Sequence, residues 1–426
     1  MAIIKQVRAR EVLDSRGNPT VMAEVLLDNG IITSGYAPSG AAKGDSEALE
    51  MRDGDEERYR GKGVLKAVEG VNTVVNGALA GKDAANLAAL DKIIIDLDGT
   101  PNKSRLGSNA TIATSFALAK ASAKANNLDL FIYLSQLLGN PASEIKLPIP
   151  FLNILNGGKH AMGSTDMQEF MIVPVAFNSF SEALRAGVEV FFSLAKILTD
   201  RNYQPLVGDE GGYAPALYSN EQAMELMTLA IKAAGYNPGE DIFLALDPAA
   251  SRFFENDYYV LHRENRELTS HELVDYYSLW AEKYPIIYIE DPFDQSDWLG
   301  WQDLTQRIGH KVEIIGDEIY STNPVLLQKG IESKASTGIL IKPNQIGTVT
   351  ETIETIKKAE QSGFKVVVSH RSGETEDTFI ADLAVATGCG ALKAGAPSRA
   401  ERTTKYNRIL EIESLYKGQT SYAKWE

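Results

Sequence analysis

The chain is poor in cysteine, in long apolar runs and in positive charge, and each shortage excludes something. It holds one cysteine, Cys389, in 426 residues. A disulfide within the chain is impossible, so a reducing compartment is expected. No stretch approaches the ~18 consecutive apolar residues of a membrane helix, and the opening MAIIKQVRAR lacks the apolar core of a secretion signal. A cytoplasmic address is the expectation. Lys and Arg number 42 against 57 Asp and Glu, a net charge of −15. So acidic a chain is a poor ligand for nucleic acid or anionic lipid, which require clustered Lys and Arg. It suits divalent cations instead. No low-complexity tract occurs.

What is present organises into two parts. Hydrophobic residues make up 44% of the chain, enough for a large core. Residues 3 to 36 read as three strands: Val7 to Leu13, Val21 to Leu27 and Ile31 to Tyr36, with Asp28-Asn29-Gly30 as a hairpin turn. From about 63 to 138 the apolar spacing becomes helical. Strands followed by helices predict an N-terminal α+β domain over 1–140, its end punctuated by Pro141 and by LPIP at 147–150.

Residues 141–426 alternate. IFLALD (242–247), IIYIED (286–291), VEIIGDE (312–318), GILIK (338–342), KVVVSH (365–370) and ALKAG (391–395) are short apolar runs separated by helical patterns. Helix starts are marked by Thr269 with Glu272, by Thr348 with Glu351 and by Asn323-Pro324, and Gly363 suits a helix end. Glu290, Asp317, Lys342, His370 and Lys393 follow one another at intervals of 27, 25, 28 and 23 residues. That steady period, with near-continuous apolar strands, predicts an α/β fold with a C-terminal (βα)8-type barrel. A doubly wound open sheet is the alternative, disfavoured because no Gly-rich nucleotide turn follows the first strand.

Each of these strands stops at an ionisable group. In a barrel such ends surround one pocket, where active sites are built. Asp247, Glu290 and Asp317 are three carboxylates on neighbouring strands. Without a counter-charge they would repel, and a hard divalent cation such as Mg²⁺ resolves that. Asp291 and Glu318 read as caps for the following helices. Lys342 stands one strand beyond the carboxylates. A nearby cation and the ammonium of Lys393 would favour its neutral, basic form. Pro343 restrains its backbone. In Ser369-His370-Arg371-Ser372-Gly373, a guanidinium, a hydroxyl and an accessible backbone suit a phosphate or carboxylate. Glu169 and Glu210 lie outside this row. If they are close together, one of them is held protonated near neutrality and becomes an acid.

The motifs EVLDSRGNPTV (11–21), RDGD (52–55), RYRGKGV (58–64), LNGGKHA (155–161), QEFMI (168–172), GDEGG (208–212), LDPAAS (246–251), IEDPF (289–293), IKPNQIGT (341–348), SHRSGETED (369–377) and KAGAPSRAER (393–402) together resemble the enolase family over nearly the whole length. The resemblance implies reversible dehydration of a small phosphorylated hydroxy acid, 2-phosphoglycerate, to phosphoenolpyruvate, with two Mg²⁺ per site. It implies Asp247, Glu290 and Asp317 as ligands of the first ion and Ser39 as a ligand of the second. It further implies Lys342 as the base at C2, and Glu210 supported by Glu169 as the acid at the C3 hydroxyl. Arg371 and Ser372 would hold the phosphate and Lys393 the carboxylate. His160 on a mobile loop, Gln168 and His370 complete the substrate-binding set. At least a homodimer is implied.

Three places depart from the family pattern. Ser39-Gly40-Ala41-Ala42-Lys43-Gly44 stands where Ser-Gly-Ala-Ser-Thr-Gly is usual, Met162-Gly163-Ser164-Thr165 where the loop is usually Asn-rich, and Glu318 where an aspartate is usual. None touches the acid, the base or the first-ion ligands, so retained activity with altered metal dependence is expected. Three other readings remain open at this level: a metal-free Schiff-base lyase on Lys342 or Lys393, a metal-dependent racemase or sugar-acid dehydratase, and a non-enzymatic binding protein on the same scaffold.

Overall fold

The computed structural model describes residues 2–41, 44–140 and 145–425. Ala42, Lys43 and the Pro141 boundary therefore lie outside the described residues.

The first part is the expected meander. Strands Ile4–Leu13, Pro19–Leu27 and Ile32–Tyr36 form one antiparallel sheet in that order. The turn between the first two closes on Asp14, whose Oδ1 accepts the backbone N–H groups of Arg16 and Asn18, each at 2.9 Å. The middle strand is buried at most positions because the helix Ser108–Ala125 lies across the sheet. Small residues make that possible. A Cβ at Gly35 would fall 2.3 Å from the carbonyl oxygen of Ala113, a separation no side chain tolerates, so only glycine allows the helix this close.

The second part is a closed eight-stranded barrel. Its strands are Ile149–Asn156, Glu169–Pro174, Ile242–Asp247, Ile286–Glu290, Glu313–Gly316, Gly338–Ile341, Lys365–Ser369 and Ala391–Gly395. Ile149, Phe151, Met171, Val173, Ala245, Tyr288, Ile315, Leu340, Val367 and Ala391 fill its interior. The alternate inward positions of the strands thus make a packed core, not a pore. A larger core joins the barrel's outer face, its helices and the first domain. The helix starts behave as read: Thr269 and Glu272 form a reciprocal capping box, and Thr348 and Asn323 accept backbone N–H groups.

Two features differ from the expectation. LPIP does not end the first domain; it enters the first barrel strand, and Pro150 pairs with Leu392. Nor are all eight strands parallel, for Glu169–Pro174 runs antiparallel to both its neighbours. A parallel crossover needs about a dozen residues or more, usually as a helix. The connection 157–168 holds only the short 3₁₀ turn Gly158–His160, so the chain reverses directly. Two helices, Phe180–Asp200 and Asn220–Ala233, then follow before the regular alternation starts.

Candidate active site

The reversed strand decides what the barrel mouth contains. Because it runs the other way, its first residue lies level with the last residues of its neighbours: Glu169 pairs with Asp247 on one side and Asn156 on the other. A glutamate that begins a strand thereby joins the carboxylates that end strands. One pocket is lined by Gln168, Glu169, Glu210, Asp247, Asp317, Lys342, His370, Arg371, Ser372, Lys393 and His160. Glu290 lies just beneath it, fully buried.

The protein itself supplies the carboxylates with a counter-charge. Lys393, inside its strand, places Nζ 2.8 Å from Glu290 Oε2, 3.0 Å from Glu169 Oε2 and 3.2 Å from Asp247 Oδ2. Burial opposes its charge, but these carboxylates outweigh burial and hold the ammonium protonated well above the usual range. Only barrel closure brings this strand opposite the others. Glu290 is pushed up to about 8, by burial first and Asp247 second. Tyr288 donates to Glu290 Oε2 at 2.7 Å, while Glu290 Oε1 has no hydrogen-bond partner among the described residues.

Lys342 caps the short helix Pro343–Ile346 and sets Nζ 2.5 Å from Asp317 Oδ2. It was expected to be depressed toward a neutral amine. Burial does act that way, but Asp317 outweighs it and the net direction is upward. Asp317 also accepts from Gln345 Nε2 at 2.9 Å. Asp291, at φ +42, receives the backbone N–H groups of Asp317 at 2.9 Å and Glu318 at 3.0 Å. It does not cap the following helix, though its position suggested that; Asp297 caps that helix, and Asn323 rather than Glu318 caps the next. Glu318 pairs with Arg252.

His160, Glu169 and Glu210 form a second buried group: one ligand atom from each lies within 4.8 Å of the others. His160 Nδ1 is 3.5 Å from Glu210 Oε1 and 3.7 Å from Glu169 Oε1. Burial keeps this imidazole below its ordinary range. The two carboxyls are driven apart. Burial and the charge of Glu210 raise Glu169 well above its usual range. Burial also opposes the charge on Glu210, but the basic groups around it, Arg402 and Lys393 among them, hold that carboxyl low. The two carboxyls are thus pushed in opposite directions, as expected of a close pair that holds one proton between them. Asn153 Nδ2 donates to Glu210 Oε2 at 2.8 Å. Gln168 Nε2 reaches Asp247 Oδ2 at 3.5 Å.

On the other flank, Arg371 meets Glu47 of the first domain, and Ser372 Oγ accepts the N–H of Ala41 at 2.7 Å. Ser39 exchanges two backbone bonds of 2.8 Å with Gly373, and its hydroxyl donates to Glu50 at 3.1 Å. Ser39, which the resemblance makes a ligand of a second ion, thus has its hydroxyl engaged by Glu50. Met162, in the altered loop, is 93% exposed and makes no part of the site. Asn153, Gln345, Glu47 and Arg402 were missed, since none ends an apolar run. Gln345 and Arg402 do stand inside quoted motifs, and polar residues there were the available signal.

The donor set fits a hard cation. It offers carboxylate oxygens, those of Asp247 and Glu290 already sharing an ammonium, and one buried oxygen of Glu290 is unpartnered among the described residues.

Fold and site together define a two-domain barrel enzyme for a small anionic substrate, with fixed positive charge and carboxylates at one mouth. A model of the enolase N-terminal domain matches residues 4–134, and one of the enolase C-terminal TIM barrel domain matches residues 144–425. The chain belongs to the enolase family, the phosphopyruvate hydratases, lyases that convert 2-phosphoglycerate to phosphoenolpyruvate in glycolysis with magnesium. The Schiff-base, racemase and non-enzymatic readings are set aside accordingly. Among the described residues no helix is long and apolar enough to cross a membrane.

Proposed function

We propose that the residues at the barrel mouth divide the dehydration between them as follows. Lys342 takes the C2 proton. That hydrogen lies beside a carboxylate, so charge arriving there is unfavourable unless fixed positive charge is already in place. Magnesium held by Asp247, Glu290 and Asp317 supplies that charge when bound. Lys393, kept protonated by its three carboxylates, meets the substrate carboxylate. Glu169 and Glu210 share one proton and give it to the departing C3 hydroxyl, which leaves as water while the C2–C3 double bond forms. His160, between them, relays or orients that proton. Arg371 and Ser372 hold the phosphate, with His370 and Gln168 bordering the substrate. Two ions per site are proposed, the second taking Ser39, whose hydroxyl must first leave Glu50.

The observation that carries these roles is the convergence of Lys342, the Glu169–Glu210 pair and the Arg371–Ser372 segment on one pocket. A pair of variants tests it. Lys342→Ala should abolish exchange of the C2 proton with solvent while magnesium still binds. Glu210→Gln should retain that exchange and lose dehydration. Exchange surviving in Lys342→Ala would overturn the assignment.

A domain boundary between 140 and 141, at least a homodimer, and a cytoplasmic address complete the proposal. The last rests on the single cysteine.

A further inference from the structure

Arg402 is one of the largest fully buried side chains in the molecule, at 0% exposure. It lies in the first turn of the helix Ala400–Leu415, behind the pocket rather than in it. Burying a guanidinium is costly unless its donors are satisfied. The nearest carboxylate, Glu401, is 3.4 Å from Nε. The four N–H groups on the two Nη atoms are used differently. Nη1 donates to the carbonyl of Arg371 at 2.6 Å, and Nη2 to the carbonyls of Ser372 at 2.5 Å and Asp209 at 3.1 Å. The remaining contact runs from Nη1 to Nδ1 of His370 at 2.6 Å.

That last contact has one consistent proton arrangement. A guanidinium offers donors only. Nδ1 of His370 must therefore present its lone pair. A neutral imidazole then carries its proton on Nε2, and an imidazolium would set one N–H against another at 2.6 Å. Nε2 points the other way, 3.6 Å from Glu210 Oε2. The backbone makes room for this clamp. At Gly395, φ +89, a Cβ would lie 2.7 Å from Arg402 Cδ and 2.9 Å from the carbonyl oxygen of Glu210. Burial, and the charges of Arg402, Lys393 and Lys342, keep His370 far below its ordinary range despite Glu210, in agreement with a neutral ring.

We propose that Arg402 is a positioning residue that fixes His370 as the Nε2–H tautomer and ties the segment 370–372 to the Asp209–Glu210 loop. One side chain thereby holds the phosphate-binding segment and the acid in a single register. His370 holds its Nε2–H toward Glu210 as a fixed dipole at 3.6 Å and takes no part in proton exchange. The tautomer follows from the contacts alone; its catalytic consequence rests on the role proposed above for Glu210.

The test is nitrogen NMR on protein carrying ¹⁵N-histidine. There are five histidines, so loss of one set of signals in His370→Asn assigns the residue. In the native protein, His370 should show a pyridine-type Nδ1 and a pyrrole-type Nε2 throughout the neutral range. A pyrrole-type Nδ1, or an imidazolium at neutral pH, overturns the proposal. This measurement needs no change at Arg402, so it decides the tautomer even where substitution there impairs folding. In R402K, which keeps the charge but not the fork, His370 should show mixed tautomers or titrate. kcat should fall about 100-fold, the scale of a 1 Å misplacement, with a smaller change in KM. An unaltered His370 spectrum in folded R402K also overturns it. Full turnover in Glu210→Gln would sink the Glu210 assignment and leave the tautomer standing, so the two failures are separable.

Discussion

Glu47 grips Arg371 at two points: Oε2 lies 2.9 Å from Nη1 and Oε1 lies 3.1 Å from Nη2. The carboxylate comes from the first domain and the guanidinium from the barrel mouth. A carboxylate thus occupies, in the fork geometry suited to an anion, the group proposed for the substrate phosphate. Both side chains are nearly inaccessible, at 7% and 3%. Glu47→Gln leaves a buried positive charge short of its partner, a loss on the order of 3 kcal/mol. The variant should melt earlier than the native protein in phosphate-free buffer. Inorganic phosphate should raise its melting temperature more than it raises that of the native protein. Equal phosphate responses in a thermal-shift titration would mean that Glu47 does not compete for that site.

Lys342→Met should reduce turnover by at least about 10²- to 10⁴-fold, the usual contribution of a positioned base. Asp317 loses the ammonium at 2.5 Å, so magnesium affinity should hold steady or rise. Steady-state assay of phosphoenolpyruvate absorbance with magnesium titration reads both. Native-like turnover would remove Lys342 from the chemistry.

Chelation of magnesium should abolish turnover without unfolding the protein. Lys393 already sits among Glu169, Asp247 and Glu290, so the carboxylates keep a counter-ion. Lys393→Met should lose that safeguard. Its melting temperature should depend steeply on magnesium, whereas the native protein's should change little. A native protein that unfolds in chelator would contradict this picture.

Asp91 supplies a pH dependence away from the site. It is fully buried, and its Oδ2 accepts from the backbone N–H of Thr350 at 2.9 Å and its hydroxyl at 2.7 Å. Burial pushes its carboxyl up to about 6 from 3.8. The folded state therefore holds a proton that the unfolded chain releases between these values. The resulting stability is complete below about 4 and lost as pH rises through about 6, a change of roughly 3 kcal/mol. Asp91→Asn keeps an acceptor for Thr350 and no longer ionises. Its melting temperature should match the native protein's near pH 4 and exceed it at pH 7. A constant difference across that range would refute the shift.

The row of strand ends was legible because each strand is a buried apolar run that stops at a charge. Asp247, Asp317, Lys342, His370 and Lys393 all line the pocket, with Glu290 beneath them. Glu169 was noticed but unplaced. Its strand is reversed, so it opens an apolar run where the others close one. Arg402 and Glu47 escaped notice because a charged residue on a helix or loop reads as solvated until packing shows otherwise. LPIP misled because proline is rare inside a sheet; here Pro150 sits within a barrel strand.

The sequence by itself determined the alternation of strand and helix, the hairpin and capping turns, and which ionisable residues stand where apolar runs end. Those follow from local sterics and periodicity, which act over a few residues. Only the tertiary structure decided which charges meet: Glu47 with Arg371 across 324 positions, Lys393 with Asp247 across 146. Electrostatic pairing depends on separations of a few ångströms in space, and barrel closure with one reversed strand sets those separations. The same closure set Glu169 and Glu210 close together in unequal surroundings, which push their carboxyls in opposite directions.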